Sequence, residues 1–102
     1  MIHVIATIDL AAGSCDAFLA EFHKLMPRVH AEDGCIAYAP CIDAPTGIPT
    51  QFMTGADRVT IMEQWASVAA LKAHSVAPHM KDYRVAVKDY VRGMELRVLT
   101  PA

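Results

Sequence analysis

The first ten residues alternate in polarity. Ile2, Val4, Ala6, Ile8 and Leu10 share one face, and His3, Ile5, Thr7 and Asp9 share the other, the period of a strand. Gly13 ends it, and Ser14 or Asp16 is placed to cap a helix. Phe18, Phe22, Leu25, Met26 and Val29 then recur at helical spacing, with Glu21, Lys24 and Arg28 largely opposite. Pro27 lies within this pattern, where it either kinks the helix or ends its first part, and Gly34 closes the segment near residue 33. Cys35 to Ile42 predicts a second strand, with Ile36, Tyr38 and Ile42 on one face and Cys35, Ala37, Ala39 and Cys41 on the other; Pro40 within it points to an edge or a bulge. Pro45, Gly47, Pro49 and Gly55 punctuate a long loop, in which Gln51, Phe52 and Met53 form either a short strand or a pocket lip.

Arg58 to Trp65 predicts the third strand, with Val59, Ile61, Glu63 and Trp65 on one face. Ser67 caps a short helix reaching about Ser75, and Pro78 suits the first turn of another. Met80, Tyr83, Val87, Tyr90 and Val91 line one side of that helix; Gly93 is expected to stop it and Met94 to Leu99 to form the last strand. The order is β-α-β-β-α-β, with the second helical region split at Ala77–Pro78. This predicts an α+β, ferredoxin-like protomer with a four-stranded antiparallel sheet, one domain spanning 1–102.

Composition adds an expectation about assembly. In a chain of 102 residues, 54% are hydrophobic, more than a small water-facing monomer needs. Helices on one side of a sheet leave its other side bare, with Ile5, Tyr38, Met62 and Leu99 to be covered. A second copy packed sheet to sheet would bury them, so a homodimer is expected, with a cavity between each sheet and its own helices. The net charge is −2 and no two Lys or Arg residues are adjacent, which argues against a nucleic-acid partner. No apolar run is long enough to span a membrane, and no secretory segment is evident. Three cysteines without a CxxC pair fit free thiols in a reducing, cytoplasmic setting, with Cys35 and Cys41 as small buried fillers. With no HxxxH or CxxC, and His74 and His79 five apart across a helix break, no metal is expected. Nor does a GxGxxG appear to bind flavin or nicotinamide.

Gly34-Cys35 followed by Tyr38-Ala39-Pro40, then Met62-Glu63-Gln64-Trp65, Leu71-Lys72-Ala73-His74 and Pro78-His79-Met80, resemble the antibiotic-biosynthesis monooxygenase family across nearly the whole chain. Asp43, Gln51, Arg97, Leu99 and Pro101 suit its small bacterial quinol monooxygenases. The resemblance implies a dimeric α/β barrel of ferredoxin-like protomers that oxidises quinols or related aromatic phenols with O₂ and no cofactor. Other members degrade haem, but the asparagine of that branch has no counterpart here, since the chain contains none. A non-catalytic dimeric binding or stress-related protein, or a small histidine-dependent isomerase, are the alternatives on this scaffold.

Cofactor-free oxidation needs a base near neutral pH, an apolar slot and access for O₂. His74, near the end of the short helix, is the first candidate base; the bland alternative is a histidine that caps last-turn carbonyls. His79, in the first turn of the next helix, can hydrogen-bond a substrate oxygen or face solvent. Glu63 shares a face with apolar residues, so its carboxylate must be paired, hydrogen-bonded or shifted. It either orients a histidine or ties strands together. Tyr38, Trp65, Phe22, Met26, Phe52 and Met53 are candidate substrate contacts, each with simple packing as its alternative.

Overall fold

The computed structural model describes residues 1–102. Seven elements follow in order: β1 (Ile2–Leu10), α1 (Cys15–His30), β2 (Cys35–Cys41), β3 (Arg58–Trp65), α2 (Val68–Ser75), α3 (Pro78–Val87) and β4 (Val91–Leu99). The four strands make one antiparallel sheet in the order β2-β3-β1-β4. This is the α+β, ferredoxin-like arrangement that the polarity pattern predicts.

The alternation in β1 translates directly into burial. Val4, Ala6 and Ile8 turn toward the helices and meet Glu63, Ile61 and Val59 across the β3 ladder. Phe18, Phe22, Leu25 and Val29 of α1 close the core over them. Pro27 neither ends nor interrupts α1, which continues to His30. Gly34 then reverses the chain with φ +83°, a backbone geometry L side chains rarely adopt, and a Cβ there would lie 2.7 Å from the Cβ of Ala70. The α1–β2 turn and α2 are therefore in close contact.

Two irregularities alter the predicted faces. In β2, Cys35 pairs with Trp65 and Ala37 with Gln64, leaving Ile36 as an extra residue. The bulge flips the alternation: Cys35 and Tyr38 face the helices with Trp65 and Glu63, whereas Ile36 is 54% exposed and Cys41, opposite Thr60, is exposed. Tyr38 thus belongs to the core rather than to the bare face, and Cys41 is not a buried filler. Pro40 sits on an edge strand, where its missing N–H costs no ladder bond. At the other end, α3 stops at Val87, earlier than the side-chain pattern suggested. Tyr90 N–H bonds the Val87 carbonyl and Ala11 N–H bonds the Tyr90 carbonyl, a turn that starts β4 at Val91. Gly93 lies inside β4 opposite Asp9, next to a second bulge, and does not terminate a helix.

Residues 51–53 form no strand. The 43–57 segment is pinned instead by polar side chains: Asp43 accepts from the Thr54 hydroxyl and the Gly55 N–H, both at 2.8 Å, and Gln51 donates to the Ala44 carbonyl. These donors hold the Asp43 carboxyl below its ordinary range.

No helix is long and apolar enough to cross a membrane. No helix covers β4, so Met94, Leu96 and Val98, on the helix side of the sheet opposite Ile8, Ala6 and Val4, remain 62%, 51% and 46% exposed. The opposite sheet face carries Ile5, Met62 and Leu99 among polar residues and is also bare.

Candidate active site

A cavity of about 480 Å³ opens between the sheet, α1, α2 and α3. Ala6, Ile8 and Ile61 form its floor, and Phe22, Leu71, Met80 and Val87 its helical walls; Met94 and Leu96 flank its side toward β4. Its size suits a one- or two-ring aromatic ligand. Into this apolar space come four polar side chains from the interior: Tyr38, Glu63, His74 and Tyr83. Arg84 and Lys88 stand at the exposed rim.

His74 is buried, 5% exposed, on the last turn of α2. Its Nδ1 lies 2.8 Å from Oε2 of Glu32, in the turn after α1. A carboxylate only accepts, so Nδ1 carries a hydrogen, and whenever the ring is neutral Nε2 holds the lone pair. Nε2 has no protein partner, yet no buried side-chain nitrogen or oxygen is left unsatisfied. Nε2 is therefore not sealed inside the core, and His74 is one of the residues that line the cavity. Trp65 packs against the ring at a centroid distance of 4.7 Å and Tyr38 meets it edge-on at 5.3 Å. The ring is clamped by two aromatics and oriented by one carboxylate.

His79 serves a different place. Its Nε2 contacts the same Glu32 Oε2, also at 2.8 Å, and it does not line the cavity. In an unbroken helix two residues five apart point about 140° away from each other. The break allows both rings to reach one oxygen, because Ala77 is extended and Pro78 begins a new helix. Ser67 fixes the start of α2 by accepting from the Ala70 N–H, as its position predicted.

Glu63 lies inside the cavity wall, accepting a hydrogen bond from the Trp65 indole N–H at 2.9 Å. Burial raises its pKa, a shift opposed by that bond and by His74. Arg97 and His3, considered as its partners, are elsewhere: Arg97 bonds Glu95 and His3 lies on the opposite sheet face. Burial, with Glu63 nearby, also pushes the Tyr38 phenol far above its ordinary value, and burial does the same to Tyr83. Both remain neutral O–H groups at the cavity. Phe22 stacks on Tyr38 with centroids 5.2 Å apart.

The remaining candidates lie outside the cavity lining. Trp65 is fully buried behind His74, Met26 packs at the core margin, and Phe52 and Met53 are 79% and 48% exposed in the pinned loop. Sequence reasoning missed Glu32, 42 residues before His74, and Tyr83, which it placed only on an apolar helix stripe. Nothing local distinguishes Glu32 from a solvated residue at a helix end. The absence of metal-spacing motifs was likewise a local reading: Glu32, His74 and His79 bring three potential ligand atoms within 4.8 Å of one another.

Residues 1–86 match the model of the antibiotic biosynthesis monooxygenase family. The chain belongs to that family. It is 43% identical over 103 residues to proteins named probable quinol monooxygenase YgiN in Escherichia coli K12 and Shigella flexneri, covering 99% of this chain and 98% of each relative. Among solved structures, PA3566 from Pseudomonas aeruginosa superposes with a TM-score of 0.81 at 24% identity, covering 99% of this chain and 93% of that one. Rv0793 from Mycobacterium tuberculosis gives 0.79 at 25% identity, covering 99% and 94%.

Proposed function

We propose that this protein is a cofactor-independent oxygenase of quinols or related aromatic phenols. Family membership supports monooxygenase chemistry as a class. The quinol substrate is supported by the YgiN relatives and by a cavity apolar enough for an aromatic ring. The observation that carries the reading is the Glu32–His74 pair at the wall of that cavity.

The chemistry follows from the substrate's own electron richness. His74 Nε2 takes the proton of a quinol hydroxyl, and Glu32 faces the positive charge that forms on the ring. The resulting quinolate passes one electron to O₂, giving a semiquinone and superoxide. Recombination forms a C–O bond to a ring hydroperoxide, which loses water with O–O cleavage and leaves a hydroxylated quinone; a second electron and proton transfer leads instead to quinone and hydrogen peroxide. Tyr38 and Tyr83, neutral and on the cavity lining, donate to the second substrate oxygen in this reading. The apolar walls exclude water and admit O₂. The division of labour is that of a histidine oriented by a buried carboxylate, with Glu32 and not Glu63 as the orienting group. His79 steadies Glu32 from behind.

A homodimer is part of the proposal, supported by the bare sheet face and the apolar β4 rim. The direct test of function is O₂ uptake by chelator-treated protein with a panel of quinols, corrected for autoxidation. Uptake at the autoxidation rate across naphthoquinols and benzoquinols would exclude the reading.

A further inference from the structure

We infer that Glu32, His74 and His79 form a binding site for a divalent first-row metal ion, and that occupation of this site silences His74. The inference of a site rests on the cluster alone; its effect on activity rests on the function proposed above.

Three donors of suitable chemistry converge from separate segments: a carboxylate from the α1–β2 turn and one imidazole each from α2 and α3. Two imidazoles and a carboxylate are a ligand set for zinc and for other ions of this class. Both nitrogens already stand 2.8 Å from Glu32 Oε2. Ligand atoms around a tetrahedral zinc are spaced about 3.3–3.5 Å apart, given bond lengths of about 2.0–2.2 Å. The set needs to open by about half an ångström at each N–O pair, and the two nitrogens, within 4.8 Å of each other, need to settle at the same spacing. The side chains are 6%, 18% and 13% exposed for His74, His79 and Glu32, so the site is enclosed yet reachable. His79 also borders a surface groove with Glu21 and Asp82, which gives a cation a path despite Lys24 and Arg28 on the same groove. A solvent molecule would complete a four-coordinate site.

The cost to His74 follows from its tautomer. With Glu32 as acceptor, the hydrogen of the neutral ring is on Nδ1 and the lone pair is on Nε2. A metal on Nδ1 displaces that proton to solvent while Nε2 takes one up, so the ring keeps one hydrogen in all and no electron is transferred. Nε2 becomes a donor and no longer accepts a substrate proton. The same three side chains thus have two exclusive arrangements, one with hydrogens between them and one with a metal.

Cobalt(II) is the probe, because it gives visible d–d bands and quenches nearby fluorescence. Trp65 is the only tryptophan and packs against His74. Titration of the chelated, folded protein with Co²⁺ should give saturable d–d absorption at one ion per chain with parallel loss of Trp65 emission, both reversed in character by excess Zn²⁺. His79→Ala and, separately, Glu32→Gln should each weaken the Co²⁺ affinity by at least about tenfold. His3→Ala, on the far sheet face, should leave it unchanged. Absence of saturable binding, or an affinity in the His79 and Glu32 variants unchanged from that of the unsubstituted protein, overturns the site. Stoichiometric Zn²⁺ should suppress quinol-dependent O₂ uptake. Metal bound with full activity, or uptake accelerated by Fe²⁺, overturns the silencing and leaves the site standing.

Discussion

Replacing Glu32 by Gln separates charge from shape. The amide oxygen can still accept from His74 Nδ1 and His79 Nε2, so both 2.8 Å contacts and the local packing have a replacement. What disappears is the negative charge facing the imidazolium as it forms. At a separation of about 4 Å between charge centres and an effective dielectric of about 20, that attraction is about 4 kcal/mol. The side chains are 6% and 13% exposed, so solvent screens little of it. Reorganisation and the shared second imidazole reduce the sum, and a loss of about 2–3 kcal/mol, or about 30- to 150-fold in kcat, is expected. KM should change little, because Glu32 touches no substrate. His74→Ala should lose about 10²–10⁴-fold, and the double variant should be no slower than His74→Ala alone, since Glu32 acts through that ring. The assay is steady-state O₂ uptake with a slowly autoxidising quinol, with folding checked by circular dichroism. If Glu32→Gln keeps wild-type kcat while His74→Ala loses it, the orienting carboxylate is not Glu32. If the two losses multiply, Glu32 acts independently of His74.

Three other outcomes follow from the structure. The raised pKa of Glu63 means that the folded state binds its proton more tightly than the unfolded chain does, so its charge costs stability at neutral pH and the cost disappears as pH falls through the raised value toward 4.5. Glu63→Gln, which still accepts from Trp65, should therefore raise the Tm relative to wild type at pH 7.5 and lose that advantage near pH 4.5, measured by thermal melts at both. Gly34→Ala combines positive φ with a 2.7 Å contact to Ala70 and should destabilise by about 2–4 kcal/mol in urea; adding Ala70→Gly should recover part of this, and no recovery would assign the whole cost to the backbone. Light scattering should give about twice the 11.1 kDa chain mass, and a concentration-independent monomer would remove the dimer from the proposal.

The regular elements were readable because their burial follows a single period. Each even position of β1 is buried, and Val59, Ile61, Glu63 and Trp65 of β3 are too. Departures came where the period breaks. One bulged residue, Ile36, reverses β2, so Tyr38 points to the core although simple alternation grouped it with exposed Ile36 and Ile42. Tyr90 and Val91 continue the apolar spacing of α3 but belong to a turn and a strand, because pairing of β4 with β1 outweighs one further helical turn. For the site, Glu63 stood out as a polar group on an apolar face and His74 as a histidine near a helix end. Glu32 did not, since its importance comes from the packing of the α1–β2 turn on α2, a contact between residues far apart in the chain. Phe52 and Met53 drew notice for their chemistry, but the hydrogen bonds of Asp43 and Gln51 hold their loop as a surface feature.

The break at Ala77 has a consequence for how much the chain between the two histidines can vary. Within one continuous helix, inserting a residue would swing His79 about 100° around the axis relative to His74. Here the phase is reset at an extended residue, and each helix takes its rotation from its own packing: α2 on β3, α3 on α1. The joint acts as a mechanical coupling with slack. The span of Val76 and Ala77 can lengthen or change composition without transmitting a twist to either ring, whereas a change of one residue on the other side of His74, within α2, would turn its imidazole out of the cavity.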